Sequence, residues 1–226
     1  MINSIYLLGI GLIVAIIDWV AVVRGNKGLE YACKPAVMVL IILWLGLNHG
    51  FSGFLLWFTL GMAFSLVGDV FLVLPREQFL LGLIAFLLAH VSYILGFTSI
   101  PIVFNLPALV ILVFIILVAV RLYLRIAQAL RQKGRSKLVI PILLYTSTIS
   151  LMVFTALSTL TGDIWPAGPA LLVSAGALLF FVSDALLAWN KFVSPFKYGR
   201  LANMAAYHLA QLLLALGAVI GYLNLS

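Results

Sequence analysis

The sequence has few of the residues that solvate a protein surface or cross-link a protein interior. Charged residues make up 8% of the 226 positions, and six residues are acidic. Cys33 is the single cysteine, so no internal disulfide can form. Three scattered histidines have no paired ligand spacing. These shortages exclude a disulfide-stabilised domain and give little support to a metal centre.

Apolar residues, in contrast, dominate the chain. They make up 65% of it, and the mean hydropathy is +1.26. A soluble domain cannot hide that much apolar surface, so we predict an all-α, polytopic transmembrane bundle in one domain spanning 1–226. Eight apolar segments are long enough to cross a bilayer, at about 4–23, 32–48, 51–73, 79–98, 101–123, 138–160, 167–189 and 201–223.

The basic residues predict the orientation of the bundle. All 13 Lys and Arg residues lie in or beside the odd-numbered connections, Arg76 after helix 3 among them. Basic connections stay on the cytoplasmic side, so we predict that both termini are non-cytoplasmic. The net charge of +7 fits anionic lipid head groups better than nucleic acid, because no soluble fold organises these residues around a phosphate backbone. We expect a multi-pass protein of the bacterial inner membrane.

The two halves of the chain share a weak pattern. The longest polar stretch, 121–137, lies at the midpoint and is expected to connect helices 5 and 6. Helices 3 and 7 each carry an aspartate near the end, followed by a short loop, a phenylalanine and a helix with a histidine: Asp69, Phe79 and His90, then Asp184, Phe192 and His208. This pattern indicates two four-helix repeats of the same orientation.

Asp69 and Asp184 are the strongest functional candidates. Both lie inside hydrophobic runs, at 64–72 and 180–187. A carboxyl group in hydrocarbon is costly, so it usually serves a function and faces the protein interior. The helical rise places each roughly 9 Å from the cytoplasmic helix end. We expect helices 3 and 7 to be neighbours, with the two carboxylates facing each other across one cavity; the alternative is two structural acids that bond to neighbouring helices.

Other polar side chains of the predicted helices converge on the same half of the membrane. Three pairs share a helix face through i, i+3 or i, i+4 spacing: Ser65 with Asp69, His90 with Tyr93, and Tyr207 with Gln211. Each polar position also has a structural interpretation. Lys34 can extend its ammonium to the interface, and histidines in membranes commonly form hydrogen bonds between helices.

Helix 8 ends with a small-residue pattern. Gly217 and Gly221 form a GxxxG motif, which most often indicates close helix packing and is compatible with a homodimer.

These residues resemble the YhhN family, whose animal relatives are lysoplasmalogenases, integral membrane hydrolases of alkenyl-ether lysophospholipids. The resemblance is carried by Lys34-Pro35 opening helix 2, by 65–72, by 79–93, by 176–192, and by Tyr207 with Gln211. It implies cleavage of a vinyl ether to a fatty aldehyde and a glycerophospho-base, with Asp69 and Asp184 as the catalytic pair. The substrate-binding residues that we expect are Lys34, Ser65, His90, Tyr93, Asn190, Tyr207 and Gln211.

The implied reaction fits two carboxyl groups. A vinyl ether is hydrolysed by protonation of its β-carbon, which leaves an oxocarbenium ion for water to attack. One aspartate would donate the proton, and the other, ionised, would stabilise the cation and take a proton from water. No metal or organic cofactor is required, and Lys34 could hold the substrate phosphate. His208 has no assigned role.

Two other classes of function remain open. A proton-coupled transporter also uses membrane carboxylates near a repeat axis, although its pathway should carry polar groups at several depths. A non-catalytic assembly or lipid-binding protein would use the same acids only to join helices.

Overall fold

The computed structural model describes residues 4–74 and 78–225, and the secondary structure of these residues is entirely helical. Within these ranges, eight helices are long and apolar enough to cross a membrane, which confirms an all-α multi-pass bundle. They are α1 (Tyr6–Arg24), α2 (Lys27–Leu47), α3 (Leu55–Val73), α4 (Phe79–Thr98), α5 (Leu106–Gln132), α6 (Val139–Leu157), α7 (Ala167–Ala188) and α8 (Gly199–Leu225). Short 3₁₀ turns flank α6 at Ser136–Leu138 and Ser158–Leu160, and a π-helical turn, Trp189–Val193, extends α7.

Helix α2 begins five residues before its predicted start. The Asn26 side chain caps it by accepting a hydrogen bond from the backbone N–H of Leu29, at 3.1 Å. Hydropathy alone assigns the polar first turn to a loop, whereas the cap starts the helix there. Lys34 therefore lies two turns inside α2, and Pro35 lies within the helix. The prediction that Lys34-Pro35 opens helix 2 is wrong.

Helix α5 also differs from the prediction, at both ends. It starts at Leu106, after the capping side chain of Asn105, and continues to Gln132. Most of the polar stretch 121–137 is thus helix rather than linker. It is amphipathic, because Ile126 and Leu130 are buried against the π-helical turn while the basic side chains face outward.

Helix α3 begins at Leu55, four residues later than predicted, because His49 and Gly53 turn the chain with positive φ values of 65° and 52°. The bounds of α4 agree with the prediction. Arg76, used above for the orientation, lies outside the described residues.

Helix α8 occupies the interior of the bundle, where it packs against α1, α2, α3 and α7. Helix α3 packs against α2, α4 and α8, whereas α7 packs mainly against α6 and α8. Helices α3 and α7 are therefore not a main packing pair, although Leu72 of α3 and Leu187 of α7 line the same cavity. Small residues explain the pairing that forms instead, because Gly176 of α7 and Gly217 of α8 let these two backbones approach closely.

Candidate functional site

Asp69 is held in a fully enclosed ion pair. Its Oδ1 lies 3.0 Å from Nζ of Lys34, and its Oδ2 accepts a hydrogen bond of 2.6 Å from the hydroxyl of Tyr207. The side chains of Asp69 and Lys34 are 0% and 4% exposed. Helices α2 and α8 thus supply the partners of this carboxylate. An ammonium and a hydroxyl donor both favour the ionised carboxylate.

Asp184 has a different set of partners. Its Oδ2 accepts a short hydrogen bond from the hydroxyl of Tyr145 on α6. Nε2 of His90 on α4 lies 3.3 Å from the same oxygen and 3.0 Å from the Tyr145 hydroxyl. The Asp184 side chain is 13% exposed, in contrast to the enclosed Asp69. This carboxyl group can therefore reach a molecule bound beside it.

Aromatic rings connect the two acid sites. The Phe180 ring lies 4.7 Å from the His90 ring and 5.6 Å from the Tyr207 ring, measured between centroids. Phe86 contacts both Phe180 and Tyr207. The two carboxylates thus belong to one cluster, but each has its own polar partners. The expectation that they face each other across a shared cavity is wrong.

Asp184 lines a small apolar cavity of about 50 Å³. We call it the Asp184 cavity. Tyr145 is the other strongly polar side chain in its wall, which is otherwise largely aliphatic and aromatic. Its remaining lining includes Leu72, Phe86, Ile126, Ile142, Phe181 and Phe192. Asp69 is not part of this wall. The lining suits an apolar group placed beside the Asp184 carboxyl.

A second, open cleft lies at the end of the bundle where α2 begins and α7 ends. Lys34 and Asn190 line it, so the structure brings these two predicted binding residues to one surface. Asn190 also accepts a hydrogen bond from the Phe196 backbone N–H, at 3.3 Å. We call this the basic cleft, since Lys27, Lys191 and Arg200 also line it.

The remaining predicted binding residues lie behind the acid sites. The Tyr93 hydroxyl donates a hydrogen bond of 2.7 Å to Oε1 of Gln211. Ser65 is fully buried one helical turn from Asp69 on α3. Since Ser65, Tyr93 and Gln211 line neither the Asp184 cavity nor the basic cleft, their position indicates support of the acid sites, and substrate binding by them stays a prediction.

Two further predictions concerned contacts between helices. His208 accepts a hydrogen bond from Nε1 of Trp19, at 3.1 Å, which joins α8 to α1. Gly217 and Gly221 contact α7 and Trp165 within the same chain, so the interpretation as close helix packing is confirmed. Because both glycines are occupied by contacts within the chain, the GxxxG motif gives no support to a homodimer.

The sequence interpretation missed three polar residues. Tyr145 bonds directly to Asp184, and its position about two turns inside helix 6, away from the interfacial belt, was a usable signal. Asp18 is fully buried, with no hydrogen-bond partner for either carboxylate oxygen. Glu30 is buried and lies in the basic cleft. The last two escaped notice because they lie near helix ends, where acids are common.

Metal binding has no structural support in the described ranges. Within 4–74 and 78–225, no group of three or more His, Cys, Asp or Glu side chains could hold a metal ion.

The fold and the two buried acid sites define a multi-pass integral membrane protein with a carboxyl group, Asp184, in the wall of an apolar cavity. The sequence profile of the YhhN family matches residues 29–218. The chain belongs to the YhhN family, which confirms the resemblance drawn from the sequence.

Relatives in this family share moderate identity over most of the chain. Lysoplasmalogenase TMEM86B of Mus musculus is 34% identical over 187 residues, which cover 83% of this chain and 73% of the relative. Lysoplasmalogenase TMEM86A of Homo sapiens is 33% identical over 196 residues, covering 83% and 76%. The uncharacterized membrane protein YhhN of Escherichia coli is 27% identical over 188 residues, covering 81% and 84%. No solved structure matches the chain significantly.

Proposed function

We propose that the protein is a hydrolase of the bacterial inner membrane that cleaves the vinyl ether of lysoplasmalogens, the alkenyl forms of glycerophosphocholine and glycerophosphoethanolamine. The observation that carries the proposal is a carboxyl group, Asp184, in the wall of an apolar cavity that adjoins the basic cleft. The names of the relatives, which are lysoplasmalogenases, point to the same substrate class.

The geometry suits a lipid with one hydrocarbon chain. The Asp184 cavity and the basic cleft share Leu72 and Leu187 in their walls, so they adjoin each other. A lysophospholipid would place its chain in the cavity and its polar head in the cleft. The ether between them would then lie beside Asp184.

Asp184 would transfer the protons of the reaction. Its protonated form donates a proton to the β-carbon, and the π electrons of the double bond form the new C–H bond. The resulting carboxylate stabilises the oxocarbenium ion and then takes a proton from the attacking water. The hemiacetal collapses to aldehyde as the C–O bond breaks and the hydroxyl proton passes to the glycerol oxygen. One water is consumed, and Asp184 is regenerated.

Tyr145 and His90 would position Asp184, since both lie within hydrogen-bond range of its Oδ2. Asp69 would remain the ionised partner of the pair. Its full enclosure supports an electrostatic contribution through the Lys34 and Tyr207 network rather than contact with water. This mechanism differs from the sequence prediction, in which the ionised partner takes the proton from water, because both proton transfers are assigned to Asp184.

The buried polar groups disfavour a transporter. In the half of the bundle opposite the acid sites, several buried hydroxyls bond to backbone carbonyls, as Thr59 does to Gly50 and Ser158 to Phe154. Such bonds satisfy the hydroxyl with a backbone carbonyl of its own helix or of the adjoining turn and provide no ionisable group for a proton pathway.

Purified protein in detergent should release fatty aldehyde from alkenyl-glycerophosphoethanolamine and leave the ester-linked lyso counterpart intact. In heavy water, with the aldehyde trapped quickly, one deuterium should appear at its α-carbon, because the proton is delivered to that carbon. Asp184→Asn should abolish release, whereas Asp163→Asn, at an exposed loop carboxylate, should not. Aldehyde without α-deuterium would exclude carbon protonation, and no aldehyde at all would contradict the proposed activity.

A further inference from the structure

The basic cleft contains a buried carboxylate that holds two cations in place. Glu30 is 6% exposed at its side chain, and each of its oxygens is engaged. Oε2 lies 2.9 Å from Nζ of Lys27, and Oε1 accepts a short hydrogen bond from Nη2 of Arg200. One acid thus joins the start of α2 to the start of α8 through two basic side chains.

Both cations stay open to the cleft. The side chains of Lys27 and Arg200 are 53% and 52% exposed, and both line the cleft with Glu30. An ammonium has three N–H donors and a guanidinium five, so each keeps donors beyond those directed at Glu30. Two cations fixed by a common buried acid form a preorganised site for an oxyanion, and arginine suits the oxygens of a phosphate.

Lys34 is less suited to this task, although it lines the same cleft. Its side chain is 4% exposed, and its ammonium is paired with Asp69 at 3.0 Å. Contact with a phosphate in the open cleft would leave the enclosed Asp69 carboxylate without its counter-charge, which is costly in a buried site. Lys27 and Arg200 are half exposed, so each can contact a phosphate in the cleft while it keeps its bond to Glu30.

We infer that Lys27 and Arg200, held by Glu30, bind the phosphodiester of the lysophospholipid head group. The inference rests on the proposed function and assigns the phosphate to this pair rather than to Lys34. In such a lipid three glycerol carbons separate the phosphate from the ether oxygen. Phosphate bound in the cleft therefore restrains how far the ether enters the adjoining cavity, and the site selects phospholipids over neutral alkenyl lipids.

The test compares two substrates that differ only in the presence of the phosphoethanolamine head group. Wild-type protein in a phosphate-free maltoside detergent should turn over alkenyl-glycerophosphoethanolamine with a KM about tenfold below that for alkenylglycerol, as expected for charge-assisted hydrogen bonds. Lys27→Gln combined with Arg200→Gln should raise the KM for the phospholipid by about that factor and leave kcat little changed. Kinetics on alkenylglycerol should not change.

Lys197→Gln is the matched control. Lys197 is an exposed cation just before α8; its ammonium lies over the Tyr198 ring, and it does not line the cleft. Glycerophosphoethanolamine should compete with the phospholipid in the wild type and not in the double variant. Inorganic phosphate should compete more weakly, which distinguishes the head group from free phosphate. Equal KM values for the two wild-type substrates, or an equal loss in Lys197→Gln, would overturn the inference.

A binding measurement separates this inference from the activity. A saturated alkyl-ether lysophospholipid, which cannot be hydrolysed by the proposed route, should bind the wild type more tightly than the double variant. That difference would support the phosphate site even in a protein without turnover, whereas absent turnover would contradict only the proposed function. Equal binding to both proteins would overturn the phosphate site.

Discussion

At the scale of single residues, the two aspartates occupy different environments despite similar local sequences. Asp69 is enclosed with a cation, whereas Asp184 is partly open and bonded to neutral donors and a histidine. Removing the charge of one partner in a buried ion pair leaves the other charge uncompensated, which strongly destabilises the fold. Replacing a carboxylate that accepts one hydroxyl bond by an amide keeps an acceptor oxygen in place. The two positions should therefore respond differently to the same substitution.

Asp69→Asn is expected to lower the free energy of unfolding by about 3–5 kcal/mol, because it leaves the Lys34 ammonium buried without a counter-charge. Asp184→Asn should abolish turnover with a much smaller loss of stability. Thermal unfolding in detergent and aldehyde release, measured on the same preparations, test both statements. Adding Lys34→Met to Asp69→Asn should recover stability without activity. Asp69→Asn protein that unfolds like the wild type would refute a structural role for the ion pair.

At the scale of helices, small residues decide which elements become neighbours. A Cβ on Gly176 would lie 2.9 Å from the backbone N of Leu214 and 3.0 Å from the carbonyl oxygen of Ala210. The backbones of α7 and α8 are therefore in direct contact, and α8 places Tyr207 against Asp69 while α7 carries Asp184. A rigid contact between these two helices holds the acid sites in register.

Gly176→Ala should destabilise the protein by about 1–3 kcal/mol, since the added methyl group meets backbone atoms that cannot rotate away. Gly9→Ala is the control, because that glycine is exposed in α1 with no atom within 4 Å of its would-be Cβ. It should be neutral or slightly stabilising, as alanine favours helix over glycine. Equal midpoints for both variants in thermal unfolding would show that α7 and α8 tolerate separation.

At the scale of the whole molecule, the partners of the two acids follow a related pattern. Asp69 on α3 is bound from α2 and α8, and Asp184 on α7 is bound from α6 and α4. The two sets of helices correspond when each helix number is raised by four and counting restarts at α1 after α8. Then α3 corresponds to α7, α2 to α6, and α8 to α4. Two four-helix repeats remain a prediction, and this arrangement is what they would produce.

Orientation in the membrane is also a prediction at this scale, and cysteine labelling tests it. In a Cys33→Ala background, Ser99→Cys lies in the connection between α4 and α5, and Ser136→Cys in that between α5 and α6; both positions are exposed. With both termini outside the cytoplasm, an impermeant maleimide should label Ser99→Cys in spheroplasts and label Ser136→Cys only after lysis. The reverse pattern would invert the predicted topology.

Several features were decided by the sequence alone. Long apolar runs can exist only as membrane helices, because backbone groups in lipid must bond within their own segment, and this determined the eight-helix bundle. The cost of a carboxyl group in hydrocarbon was enough to single out Asp69 and Asp184 as functional candidates. The segments around them were also specific enough to indicate the YhhN family.

Only the tertiary structure decided which helices meet and what each acid contacts. The hydropathy of a segment does not specify which other helix it packs against, so it could not place α8 beside both α3 and α7. It also could not show that Lys34 forms an ion pair with Asp69, that Tyr145 donates a hydrogen bond to Asp184, or that Glu30 joins Lys27 to Arg200. These pairings depend on close backbone approach at a few glycines, which arises from packing between segments distant in the chain.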